Sequence, residues 1–271
     1  MPSGFLIRSI SSILVVIVAA AVVYSPRPIL ILLLIALAFI GALELYRMVS
    51  SLYPGMSLGL LLLLTISLVI SGALANMTGK LYWVLFACCA SVLSPAAFSV
   101  LRLSPKEGMI PWLFTTGSSL YVGLPMAHIE LIRGLESGRE WLILAIISTW
   151  VTDTSAYIAG SMFGRRKLAP KISPGKTVEG AVASTVFTIL LVTILVPLFR
   201  LPISLTWGPI VGLALAFACQ MGDLAESFIK RAVGVKDSGN IIPGHGGLLD
   251  RIDGLLWVVL ITYYIANLAL T

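Results

Sequence analysis

Residues 48–79 read MVSSLYPGMSLGLLLLLTISLVISGALANMTG, without a single Asp, Glu, Lys or Arg. Comparable charge-free runs occupy 9–26, 28–43, 81–101, 108–129, 180–199, 201–222 and 254–271. A helix that spans a bilayer needs about 20 mostly apolar residues, and these runs supply that length repeatedly. Across all 271 residues, 58% are hydrophobic and 11% charged, where soluble domains carry about 25% charged. Mean hydropathy is +1.02. This composition excludes a soluble globular domain and a disordered chain. An outer-membrane barrel would alternate polar and apolar residues along each strand, and these runs do not. Helices remain, since they satisfy every backbone group within their own segment.

The expected fold is an all-α, polytopic integral membrane protein. Nine spans are predicted, at roughly 7–25, 29–48, 57–77, 81–102, 110–128, 140–162, 178–198, 207–229 and 251–270. They group as 1–80 (spans one to three), 81–139 (four and five) and 140–271 (six to nine, expected to be catalytic). Arg8 before an apolar run and Ala19-Ala20-Ala21 would also suit a cleavable signal. That run is long for such a signal, so it is read as the first span. Cys88, Cys89 and Cys219 fall inside spans, form no CxxC pair and read as small buried side chains.

Net charge is +6. With nine spans, every Lys and Arg except Arg27, Lys80, Arg133, Arg139 and Arg200 falls on the side that receives the N-terminus. The positive-inside rule makes that side cytoplasmic, and the inner (plasma) membrane is the expected location. The basic excess is expected to meet anionic lipid and nucleotide, not nucleic acid.

Acidic residues divide the chain. Within the first five spans the only acid is Glu44, whereas beyond residue 140 Asp153, Glu179, Asp223, Glu226, Asp250 and Asp253 lie in or beside spans. An intramembrane carboxylate costs about 2.5–3.5 kcal/mol on insertion scales and points to function. Topology sends all six toward one cytoplasm-facing cavity. Asp223, Glu226 and Lys230, spaced i, i+3, i+7, share a helical face, with Ser227 beside them, and Asp250 and Asp253 share another. Carboxylates beside Lys and Arg suit a phosphate ligand held through Mg²⁺, which binds one or two carboxylates plus substrate phosphates. Asp223 and Asp253 are the expected metal ligands, with Asp250 as a further ligand or a partner of one. Lys230, Arg231, Lys236 and Arg251 would neutralise the remaining phosphate charge.

Two loops add to this. Residues 164–177 read GRRKLAPKISPGKT, and Gly175-Lys176-Thr177 resembles the end of a Walker A loop. Pro170 stands where that motif needs its first glycine, so the resemblance stops there. Residues 236–250 read KDSGNIIPGHGGLLD, whose glycines permit close approach to a ligand.

The run Ser227 to Asp253, SFIKRAVGVKDSGNIIPGHGGLLDRID, resembles the signature of the phosphatidate cytidylyltransferase (CDP-diacylglycerol synthase) family. Gly222-Asp223-Leu224, Glu226, Asp153, Ala156-Tyr157, Gly160, Phe163-Gly164, Ser173-Pro174, Lys176-Thr177 and Glu179-Gly180 fit the same pattern. The resemblance covers about residues 150–253; before residue 140 it extends only to a set of apolar spans. It implies CTP + phosphatidate → CDP-diacylglycerol + pyrophosphate, with Mg²⁺ as cofactor. It also implies catalytic roles for Lys230, Arg231, Lys236, Asp237, His245 and Arg251. Substrate contacts are implied for Asp153, Ser173, Lys176, Thr177, Glu179, Glu226, Ser227, Gly246 and Gly247. His245 reads as a phosphate or loop hydrogen-bond partner in preference to a base, and His128 as structural.

Neighbouring readings are a CTP-dependent lipid kinase or a cytidylyltransferase for another lipid phosphate. A CDP-alcohol phosphotransferase needs Asp-Gly-x-x-Ala-Arg, and here Asp253-Gly254 meets Trp257 and Val258 at the last two positions. A cation transporter would need acids along a path through the membrane, yet they gather toward one side. Gly160-x-x-x-Gly164 and Gly208-x-x-x-Gly212 permit close helix packing within a chain or across the expected homodimer.

Overall fold

The computed structural model describes residues 3–53, 55–242 and 246–269, with side chains from residue 11 onward. Among these, an α-helix occupies each of the expected segments: α1 (Ser3–Tyr24), α2 (Arg27–Ser50), α3 (Leu58–Thr78), α4 (Tyr82–Arg102), α5 (Pro105–Arg133), α6 (Gly138–Phe163), α7 (Val178–Leu198), α8 (Gly208–Ala232) and α9 (Leu249–Ala269). Seven of them, α2, α3, α4, α6, α7, α8 and α9, are long and apolar enough to cross a membrane. The polytopic all-α expectation holds, while nine crossing helices are not reached among the described residues. Helix α5 is not one of the seven: it carries Lys106, Glu107, Glu130 and Arg133 near its ends and Pro111 and Pro125 inside.

Local sequence sets the helix ends. Arg27-Pro28 opens α2, where proline's missing N–H costs nothing. Ser57 caps α3 by accepting the Leu60 N–H at 3.3 Å. Gly79, at φ +68°, closes α3 in the left-handed conformation that glycine adopts without strain. The 164–177 segment, expected as a loop, contains an antiparallel hairpin of β1 (Lys167–Ala169) and β2 (Ser173–Thr177). Its last residue, Thr177, caps α7 by accepting the Gly180 N–H at 3.2 Å.

The chain divides into two compact units, Met1–Leu131 with Val233–Arg251 and Ile132–Ala232 with Ile252–Thr271. In the first, α3 packs on α2 and α4. A Cβ at Gly72 would stand 2.7 Å from the Ala127 carbonyl oxygen, and one at Gly123 2.9 Å from that of Thr65, so α3 and α5 meet backbone to backbone. The Arg27 Nε donates to the Glu130 carboxylate at 2.6 Å, and the Asn76 amide donates to the Glu130 carbonyl at 2.5 Å.

In the second unit α6, α7 and α8 pack on one another. Gly160 and Gly164 both face Thr177, and Gly180 lies against Gly160. Gly208 abuts Thr193, and a Cβ at Gly212 would stand 2.6 Å from the Ile189 Cα. Both small-residue pairs are therefore used inside the chain. Small residues serve here because lipid supplies no hydrophobic drive between helices, which associate through close packing. Gly212→Val should cost about 1–3 kcal/mol by overpacking and lower the thermal midpoint of the purified protein in detergent. Gly59→Ala, whose added Cβ meets nothing within 4 Å, should leave that midpoint unchanged or raise it.

Candidate functional site

In the second unit, Gly160 and Gly180 bring α6 against the start of α7, and β2 delivers its side chains to the same place. There they enclose a cavity of about 390 Å³ lined by Asp153, Tyr157, Ser173, Lys176, Thr177 and Asp223, together with Gly175 and Gln220. That volume lies within the 300–1,000 Å³ of cavities that hold small organic ligands. The Gln220 amide nitrogen is 3.1 Å from the Ala181 carbonyl and within 3.1 Å of the Ser184 and Thr185 hydroxyls, which fixes its orientation on α7.

Charge is arranged in carboxylate–lysine pairs. Lys176 Nζ lies 2.6 Å from Asp223 Oδ2, joining β2 to α8. Lys230 Nζ lies 2.5 Å from Glu226 Oε2 across one turn of α8, with both side chains at least nine-tenths buried. Asp223 Oδ1 is also buried, yet it has no hydrogen-bond partner among the described residues. One ligand atom from each of Asp153, Cys219 and Asp223 falls within 4.8 Å of the other two. The Cys219 thiol donates to Asp153 Oδ1 at 3.5 Å, so this cysteine sits among carboxylates and is not simply apolar filling. Cys89, also expected to be buried, is exposed. Asp253 feels the charges of Asp223, Glu226 and Asp153, and its Oδ1 accepts the Gly254 N–H at 2.8 Å. A Cβ at Gly222 would stand 2.6 Å from the Asp253 carbonyl, so this glycine lets α9 approach α8.

The other expected residues are distributed as follows. Glu179 Oε2 accepts the backbone N–H groups of Arg165 at 3.0 Å and Arg166 at 3.2 Å, fastening the segment that enters the hairpin. Arg231 Nε donates to the Ile172 carbonyl at 3.2 Å, tying α8 to the hairpin turn. Ser227 is half-buried on α8. In the first unit, Asp250 Oδ2 accepts from the Ser238 N–H at 2.9 Å, the Ser238 hydroxyl at 3.0 Å and the Gly247 N–H at 2.8 Å. Asp250 thus ties Ser238 to Gly247, next to Gly246 at φ +83°. Lys236, Asp237 and Arg251 are exposed. His245 lies outside the described residues. His128 is buried, with its Nδ1 2.8 Å from the Leu124 carbonyl.

Sequence reading assigned no role to Gln220 or Glu44. Glutamine in an apolar helix gave no signal, whereas Glu44 was marked as the lone acid of five spans.

The profile of the cytidylyltransferase family matches residues 6–269, so the chain belongs to the cytidylyltransferase family. A relative from Bacillus subtilis (strain 168), named phosphatidate cytidylyltransferase, is 39% identical over 181 residues, covering 64% of this chain and 67% of its own. A protein of the same name from Staphylococcus saprophyticus is 34% identical over 265 residues, covering 93% of this chain and 95% of its own. One from Brucella abortus is 39% identical over 145 residues, covering 53% of each chain.

Lys230→Met strands the buried Glu226 carboxylate without its lysine and should cost about 3–5 kcal/mol. The double variant Glu226→Leu with Lys230→Met should recover part of that loss in thermal unfolding of the purified protein.

Proposed function

We infer that the protein is an integral membrane enzyme that transfers the cytidylyl group of CTP to phosphatidate, giving CDP-diacylglycerol and pyrophosphate. One observation carries this reading: a protein named phosphatidate cytidylyltransferase matches along 93% of the chain, with the acid-rich cavity inside the matched length. The nucleophile is a phosphate oxygen of phosphatidate, which attacks the α-phosphorus of CTP while pyrophosphate departs. A phosphate monoester, with a second pKa of about 6, is largely dianionic at neutral pH, so no strong base is required. The residues must instead offset repulsion between two anions and stabilise the leaving group.

Lys176 and Lys230 supply fixed positive charge, and Ser173 and Thr177 offer hydroxyl groups at the cavity edge. Hard oxygen donors fit Mg²⁺: the unpartnered, buried Asp223 Oδ1 and the nearby carboxylates of Asp153 and Asp253 would hold it, whereas the Cys219 thiol is a poor partner for a hard cation. When bound, Mg²⁺ neutralises phosphate charge and orients the phosphate oxygens. Counted over nine crossing helices, the placement of Lys and Arg gives a cytoplasmic N-terminus and an active site facing the cytoplasm of the inner membrane.

The test is pyrophosphate release by the purified protein given CTP, phosphatidate and a range of Mg²⁺ concentrations. Asp223→Asn and Asp253→Asn keep size but remove the charge a hard cation needs. Each should lower turnover by about 100-fold or more, the scale of losing one charge-stabilising group from an active site. Near-normal activity with an unchanged Mg²⁺ requirement in both variants would refute the metal assignment. Absence of CTP-dependent release from the unaltered protein would refute the function.

A further inference from the structure

Glu44 lies on α2 in the first unit, outside the part of the chain that resembles a cytidylyltransferase signature, and only 1% of its surface is exposed. Its carboxylate accepts the backbone N–H of Leu248 at 2.8 Å and of Leu249 at 2.9 Å, and the Ser238 hydroxyl at 3.1 Å. The Ser238 hydroxyl also lies 3.0 Å from Asp250 Oδ2, so its single proton is within reach of both carboxylates. A Cβ at Gly239 would stand 2.9 Å from Glu44 Oε1, and one at Gly247 would stand 2.7 Å from both Glu44 oxygens. These glycines therefore admit a carboxylate where any side chain of their own would collide with it.

We propose that Glu44 is a positioning residue for cytidylyl transfer. It holds Ser238, Gly239 and Gly247, which lie in the glycine-rich stretch 236–250, and the first turn of α9 in their working conformation. The inference rests on the function proposed above. The reason for a carboxylate is electrostatic. Leu249 opens α9, whose first N–H groups lack partners within the helix and carry partial positive charge, so an anion there is favoured over an amide. Bonds from N–H groups to a charged acceptor are also stronger than neutral ones. Glu44 thus supplies, from a distant helix, an anionic acceptor to two backbone N–H groups at the start of α9. Asp250 ties the loop to itself; Glu44 ties it to α2.

The experiment compares Glu44→Gln, Glu44→Asp and the unaltered full-length protein in detergent. It measures pyrophosphate release from CTP and phosphatidate, and hydrogen exchange of peptides covering 236–250 and α7. A glutamine amide turns a donor toward N–H groups that need an acceptor. Glu44→Gln should therefore lower kcat per folded enzyme by about 100-fold, as small misplacements at a distance do. Exchange should rise in 236–250 while α7 keeps its protection, and Glu44→Asp should recover part of the activity. Ser238→Ala, which removes one donor, should give a milder loss of the same kind if Glu44→Gln does not fold.

Unchanged activity and unchanged loop exchange in Glu44→Gln, or in Ser238→Ala where Glu44→Gln does not fold, would overturn the proposal. So would loss of protection spread equally through α7, which marks a residue needed for folding alone. An unaltered protein that releases no pyrophosphate counts against the function itself, and loop exchange then decides alone whether Glu44 holds the loop.

Discussion

A carboxylate among apolar helices must find a positive partner or a set of N–H donors, because hydrocarbon offers neither. Much of the architecture follows from how this chain meets that demand. Glu226 takes Lys230 one turn along its own helix, Asp223 takes Lys176 from the hairpin, and Glu130 takes Arg27. Glu179 and Glu44 take backbone N–H groups instead, and each thereby fastens a connecting segment to a helix. The acids are therefore joints between elements as well as charges. In Asp223 and Glu130 one carboxylate oxygen takes the cation, while Asp223 Oδ1 and Glu130 Oε2 are buried with no hydrogen-bond partner among the described residues.

Holding these joints requires helices to approach closely. Gly222 lets α9 reach the carboxylate-bearing face of α8, and a Cβ at Gly254 would stand 2.8 Å from the Cys219 sulfur. Gly160, Gly164 and Gly180 bring α6 and α7 together at the cavity edge, with Thr177 both packing between them and capping α7. A bulky residue at any of these points would move the carboxylates apart. The site thus depends on residues with almost no side chain as much as on the charged ones.

Much of the fold was legible because a bilayer imposes a length on every apolar run. Charge-free stretches marked the helices, and Pro28, Ser57 and Gly79 explain where three of their ends fall. The hairpin at 167–177 was not legible, since its strands are short, basic and rich in turn residues, without the alternation that marks a sheet. At the site, the i, i+3 and i, i+7 spacings correctly placed Glu226 and Lys230 on one face of α8. Spacing does not reach between helices, so it could not pair Lys176 with Asp223 or place Asp153 beside it. Nor could it separate Asp250, spent on the Ser238 and Gly247 donors, from Asp253 three residues later. Glu44 shows the limit most clearly: its cost within the membrane was readable, but its partners lie about two hundred residues away.

The central claim is attack by a lipid phosphate on the α-phosphorus of CTP, and the path of one phosphorus atom tests it most directly. Purified protein would be given phosphatidate and CTP carrying radiophosphorus at either the α or the γ position. The account predicts lipid-soluble label only from α-labelled CTP, in amounts matching the pyrophosphate released. Lipid-soluble label from γ-labelled CTP would mean phosphoryl transfer by a kinase and would contradict it.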